Sequence, residues 1–237
     1  LAWQLRLTAV PCFRIYRDSI LQDVLGGFVN IDQRAEQVAE EAYQRMVSRP
    51  AGEDFDGDVS QEAEAAKEQG QIYHEAMVGI RQATINLLAA GLFHLLEQQL
   101  ARLCADSIFR DYNPPDANLG RISNWYRDHL ALDLRKLSQW LKINELRLVA
   151  NSVKHGRGGS EAELRPLRPA LFQNPALVEM GFRGTHLTHE PLLPLAGDGL
   201  FVTEEVFAEY AATVNDFVME IVRHFEANAR KSYPRDE

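Results

Sequence analysis

A stretch from Asp58 to about Phe109 most constrains what this chain can fold into. In its later half, apolar residues recur at Ile85, Leu88, Leu92, Leu95, Leu96, Leu100 and Leu103. That spacing of three to four positions is the period of a helix with one buried side. Asp58 followed by Gln61 resembles an N-terminal capping pair, and Asn113-Pro114-Pro115 closes the stretch. The expectation is one very long helix, broken or bent near Gly70. An element of that length must be the spine of a helical protein.

The remaining segments agree with it. Residues 28–49 are rich in alanine, glutamate and glutamine and stop at Pro50, which predicts a helix. Two more helices are predicted over about 121–140 and 142–155. A last helix starts at Thr203 as its cap, with Glu204 and Glu205 near its positive end. Its buried stripe is Phe207, Tyr210, Val214, Phe217, Ile221 and Phe225. Between these, residues 156–200 carry five prolines and seven glycines. They are expected to form a long irregular insertion, with one short helix capped by Ser160 and Glu163 and halted near Pro166, and room for a short strand pair. The expected fold is therefore all-α: one helical domain over 1–237, with an acidic loop at 50–58 and an irregular insertion at 156–200 before the last helix.

Composition limits the function classes. The chain has 237 residues, 46% hydrophobic and 25% charged, with a formal net charge of −9. These are globular values, and the charge argues against a generally cationic coat for nucleic acid or membrane. The charge is uneven. Between Glu53 and Glu68 seven acids face Lys67 alone, whereas between Leu119 and Arg168 ten bases face five acids. Cys12 and Cys104 are too few and too distant for a disulfide scaffold, so a reducing, cytoplasmic setting is expected. No run of about 18 apolar residues is seen, and no membrane partner is expected. The opening LAWQLRLTAVPCF carries Arg6 and lacks the layout of a signal peptide, and so reads as structure.

Several motifs fail on inspection. Asp54-Phe-Asp56-Gly-Asp58 invites a calcium reading, but an EF-hand loop begun at Asp54 needs glycine at its sixth position and a carboxylate at its twelfth. Val59 and Ala65 stand there. His186-Leu-Thr-His189 with Glu190 lacks the helix-borne spacing of a zinc site. No phosphate-binding glycine loop precedes a helix, since Gly156, Gly158 and Gly159 follow one. No metal or cofactor is expected.

Residues 145–159, ELRLVANSVKHGRGG, hold the strongest candidate. At about 100° per residue, Arg147, Asn151, Lys154 and His155 fall within about 100° of one another, while Leu146, Val149 and Val153 lie on another side. A basic residue pair followed by glycine is the ordinary end of a helix. That explains Lys154, His155 and Gly156 but not Asn151 or Arg147, so the stripe reads either as a helix end or as a site.

Three segments carry a family resemblance: Leu95-Leu96-Glu97-Gln98-Gln99-Leu100, the ending NSVKHG, and the closing GLFVTEEVFAEYAATVNDFVMEIV. Together they resemble the HEPN family of helical bundles, whose prokaryotic members often act as toxins or antiphage RNases. The family signature places an arginine, often followed by a polar residue, four to six positions before a histidine. Here Asn151 and His155 take the polar and histidine places, Ala150 stands in the arginine place, and the nearest upstream arginine is Arg147. The resemblance implies a metal-independent endoribonuclease. In it His155 acts as base or acid, Arg147 or Lys154 stabilises phosphate charge, and Asn151 orients the histidine or phosphate. Glu97 is either a supporting carboxylate or simply solvated. The resemblance further implies a homodimer sharing one cleft, with RNA and an antitoxin or defence subunit as partners. A non-catalytic interaction module and a purely structural helical subunit are the alternatives. If the acidic 53–68 segment covers the basic region, its deletion should raise RNA affinity.

Overall fold

The computed structural model describes residues 1–48, 59–105, 118–156, 158–179, 181 and 199–232. Among them every regular element is helical. The chain opens with α1 (Ala2–Gln4), which passes through a π turn, Leu5–Ala9, into α2 (Val10–Ser19) and then a second π turn, Ile20–Val24. Leu5, Ala9, Val10, Phe13 and Ile20 of this run are buried, so the apolar opening segment is part of the bundle. Next come α3 (Ile31–Val47) and α4 (Val59–Ala105). α5 (Leu119–Leu130), α6 (Trp140–His155), α7 (Gly159–Leu167), the short α8 (Pro175–Glu179) and α9 (Glu204–Ser232) complete the order.

α4 is the spine. Its C-terminal half buries Ile85, Leu92, Leu96, Leu100 and Leu103 in one core with Ile122, Tyr126, Leu146, Val149, Phe207, Phe217 and Ile221. By length and mean hydropathy alone α4 is apolar enough to cross a bilayer, although it holds no unbroken apolar run of about 18 residues. The residues that give it this character line the protein core.

Gly70 does not break α4. The helix runs through it, and the glycine is buried where α3 crosses. A Cβ built there would lie 2.7 Å from the Ala35 carbonyl oxygen and 2.9 Å from the Ala39 Cβ. With Ala42 and Ala66 also buried, small residues let α3 and the N-terminal half of α4 approach closely as an antiparallel pair. His74 meets Asp32 at 3.0 Å further along the same pair. A helical Gly→Ala change ordinarily gains about 1 kcal/mol, but overpacking against backbone costs about 1–3 kcal/mol. Gly70→Val, which adds branching to the clash, should lower stability by about 2 kcal/mol or more in chemical denaturation. A neutral result would mean that α3 and α4 are not in this contact.

The predicted helix over 121–140 ends at Leu130 instead. Ala131 adopts the left-handed conformation with φ 51° and stops the helix. Asp133 then accepts the Arg135 N–H and begins a single turn, Leu134–Lys136. Within the 156–200 insertion, α7 starts from Gly158 with no side-chain cap, so Ser160 lies inside the helix and is not its cap. The helix continues through Pro166 to Leu167, because a proline so close to the end forfeits only one hydrogen bond. No strand is present among the described residues. The 50–58 loop, the Asp54–Asp58 motif and the His186–His189 motif lie outside them.

The return into α9 is closely held. Asn86, 2% exposed, donates to the Leu200 carbonyl at 2.7 Å and accepts the Val202 N–H at 3.1 Å. Gln82 donates to the Val202 carbonyl at 2.9 Å. The α4 side chains thus satisfy the backbone of an irregular segment that would otherwise bury unpaired polar groups. Thr203 caps α9 as predicted, its hydroxyl oxygen accepting the Val206 N–H at 3.3 Å, and Phe207, Tyr210, Val214, Phe217 and Ile221 are buried.

Candidate functional site on helix α6

α6 is packed on two sides. Ile143, Leu146, Val149, Ala150 and Val153 are buried on one, and Leu148 and Ser152 on another. Between them runs a solvent-facing strip that holds Arg147, Asn151, Lys154 and His155. Lys154 and His155 are exposed, and Arg147 and Asn151 are half-buried. Gly156 ends the helix with φ 64°, a conformation that favours glycine, and its N–H reaches the Ser152 carbonyl at 2.9 Å.

The hydrogen bonding of the strip separates its members. Arg147 donates through Nε to Asn144 Oδ1 at 2.9 Å, and its guanidinium lies 4.0 Å from Glu163 of α7. Asn151, Lys154 and His155 make no side-chain hydrogen bond or ion pair among the described residues. Asn151 and His155 are thus left without a side-chain partner among the described residues, and Lys154 acts on the fold only through its charge, on Glu97 of α4.

Glu97, on α4, is not simply solvated. Its side chain is 13% exposed and accepts the Leu119 N–H at 3.0 Å, capping α5 together with Asn118, which takes the Gly120 and Arg121 N–H groups. Burial raises its carboxyl above the ordinary range. The Leu119 bond and the charges of His94, Lys154 and Arg147 pull the other way. The charges of the strip thus reach Glu97 only weakly, and its direct partner is the Leu119 N–H. His94 sits beside it, with Nδ1 3.9 Å from the carboxylate and Nε2 3.0 Å from Gln98. Nothing brings His155 into this group. It lies further round α6, next to the start of α7.

Sequence reasoning missed a second polar cluster on the opposite flank of α6. Glu145 accepts from Tyr210 Oη at 2.7 Å, Lys142 Nζ at 2.9 Å and Arg168 Nη1 at 3.0 Å. Glu209 pairs with Arg168 and Lys142, each at 2.7 Å. The hydrogen bond from Arg168 draws the Glu209 carboxyl down to about 2, while burial pushes the Tyr210 hydroxyl well above its usual value. Two cations and two anions compensate one another, so this is a pin fixing α6 against α9 and the segment after α7. The sequence signal was weak. Lys142 and Glu145 stand one turn apart, but their partners lie far along the chain.

The pin has a pH signature. Glu209 has a depressed carboxyl in the folded state, so its contribution to stability is complete above its unfolded value of about 4.5 and is lost as pH falls towards about 2. Glu209→Gln should lower the melting temperature most at pH 7, where the pair is fully formed, and flatten its decline across that window. An unchanged acid limb would exclude the ion pair as a source of the dependence.

Elsewhere, a cleft of about 370 Å³ is lined by Leu25, Phe28, Val78 and the pairs Asp32–His74 and Arg81–Glu204. Its charges already compensate each other. Cys12 and Cys104 are not joined, and burial lifts the Cys104 thiol to about 12, which makes it a poor nucleophile. No group of three or more potential metal ligands is gathered among the described residues.

Set beside protein-family models, curated proteins and solved structures, the chain matches none. The chemistry of the α6 strip therefore has to be argued from its own residues.

Proposed function

We propose that this protein is a HEPN-like helical bundle that acts on RNA through the α6 strip, as a metal-independent endoribonuclease in a cytoplasmic toxin or antiphage setting. One observation carries the reading: Asn151, Lys154 and His155 make no side-chain hydrogen bond or ion pair among the described residues, beside Arg147 on the same strip. An imidazole can take the proton from a ribose 2′-hydroxyl or return one to the leaving 5′-oxygen. The 2′-oxygen then attacks the adjacent phosphorus, the P–O5′ bond breaks, and a cyclic phosphate and a 5′-hydroxyl result. Lys154 and Arg147 stabilise the developing charge on the phosphate oxygens. Asn151, between them on the helix, orients the phosphate or the imidazole. Asn144 and Glu163 hold Arg147 in the strip.

A second reading is favoured by Ala150. The arginine place of the resemblance is 2% exposed and packed in the core, so no cation there could reach a ligand. A non-catalytic module in which the same strip docks a nucleotide or a protein partner fits this burial. Purified protein incubated with single-stranded RNA, with and without EDTA, separates the two. Cleavage unaffected by EDTA and abolished in His155→Ala supports the enzyme. RNA binding without cleavage under every condition supports the module.

A further inference from the structure

We infer that the cleft between α3, α4 and the start of α9 is a binding site for a free α-amino acid with a large apolar side chain. It uses none of the residues of the α6 strip, so the inference is independent of whether the strip cleaves RNA.

α4 builds the floor of the cleft. His74, Val78 and Arg81 follow one another at steps of four and three, and so lie on one side of the helix. His74 and Arg81 are about 10 Å apart along it. An ion pair stands at each end of this floor. His74 meets Asp32 of α3 at 3.0 Å, and Arg81 meets Glu204 in the first turn of α9. Between the two pairs the lining is apolar: Val78 itself, the buried Leu25, and Phe28 and Val29 from the segment before α3. Val78 is 44% exposed and Val29 76%, so this wall stands in water. A volume of about 370 Å³ suits a small organic molecule.

The charges set what such a molecule must carry. Arg81 and Glu204 are both partly exposed. Their one hydrogen bond, from Arg81 Nη2 to Glu204 Oε1, leaves further guanidinium donors and the second carboxylate oxygen unbonded among the described residues. A lone anion at this end would meet Glu204, and a lone cation would meet Arg81, and either juxtaposition of like charges is costly. A ligand with both charges side by side meets both partners. Its carboxylate takes the free Arg81 donors and its ammonium the free Glu204 oxygen, through charge-assisted hydrogen bonds. An α-amino acid holds these two groups on one carbon, with its side chain as a further substituent. Seated at Arg81 and Glu204, that side chain runs along Val78 towards His74 and covers Phe28 and Val29. Phenylalanine and tryptophan have the size to remove this wall from water, and glycine does not. The existing ion pair is kept, because the ligand uses its remaining atoms.

Titration calorimetry of the full chain with L-phenylalanine or L-tryptophan should show saturable binding with a Kd of about 1 mM or tighter. Three probes then dissect the site on the unaltered protein. 3-Phenylpropionate lacks the ammonium, phenethylamine lacks the carboxylate, and glycine lacks the side chain. Each should bind about tenfold more weakly than L-phenylalanine, or worse. Val78→Trp fills the cleft from an exposed helical position, and should abolish binding while the helical circular dichroism stays intact. Arg81→Gln should weaken both amino acids by about tenfold or more without weakening phenethylamine, a split that loss of folding would not produce. The absence of saturable binding of either amino acid up to about 10 mM would overturn the inference. So would 3-phenylpropionate binding as tightly as L-phenylalanine, which makes the cleft a simple anion site, or a Val78→Trp protein that binds like the wild type. These readouts are binding isotherms of small molecules, so they stand apart from any failure to cleave RNA.

Discussion

Replacing His155 with alanine should lower RNA cleavage by roughly 10²–10⁴-fold, the usual span for removing a positioned acid–base group. The same protein should melt within about 0.5 kcal/mol of the wild type, as surface substitutions generally do. The second half of this expectation follows from the structure directly. His155 is exposed and carries no side-chain partner among the described residues, so its loss opens no cavity and strands no buried group. Activity and folding are thus separable at this position. Lys154→Ala should act mainly on substrate affinity and flatten the salt dependence of binding by about one phosphate contact. A His155→Ala protein that cleaves RNA at the wild-type rate would remove the imidazole from the proposed chemistry.

Asn86→Ala should be the most damaging single change to the fold, costing about 3 kcal/mol. Each buried backbone group deprived of its partner costs about 1–3 kcal/mol, and Asn86 serves both the Leu200 carbonyl and the Val202 N–H while accepting from Gln82. For a chain of this size, a loss of that magnitude corresponds to a fall of about 6–12 °C in melting temperature. Asn86→Asp should not rescue it, since the carboxylate can still accept the Val202 N–H but offers no donor to Leu200 and buries a charge. Equilibrium unfolding of the three proteins gives the ranking. If Asn86→Ala unfolds with the wild-type midpoint, water must replace the amide and the segment before α9 is less enclosed than described.

Asn86 also shows where reading the sequence stops. The long helices were legible because α4 and α9 repeat their apolar residues many times over, and Thr203 stands where a cap is needed. The polar strip on α6 was legible for the same reason, since helical angle alone separates Arg147, Asn151, Lys154 and His155 from Leu146, Val149 and Val153. What failed depended on partners distant in sequence. Gly70 reads as a weak point until Ala35 and Ala39 are laid against it. The left-handed turn at Ala131 has no residue-type signal, because alanine is a poor choice for it and the Leu132 N–H to Tyr126 carbonyl bond, with Leu132 buried, holds it there. Asn86 within a leucine-rich helix, and Glu145 beside Lys142, reveal their use only once residues more than 60 positions away have folded back. Glu97 was read as a supporting or solvated carboxylate, and its capping of α5 could not be seen without knowing where Leu119 arrives.

The Phe201 N–H donates to the Leu171 carbonyl at 2.7 Å, so the chain closes a loop there between two residues 30 positions apart. The entropy of closing such a loop grows only with the logarithm of its length, by about 0.6 kcal/mol for each doubling. Its length is therefore only weakly coupled to the stability of the helices that bracket it. Between the buried anchors Phe172 and Leu200 the chain can thus gain or lose length at little cost, while the spine, the pin and the α6 strip keep their register.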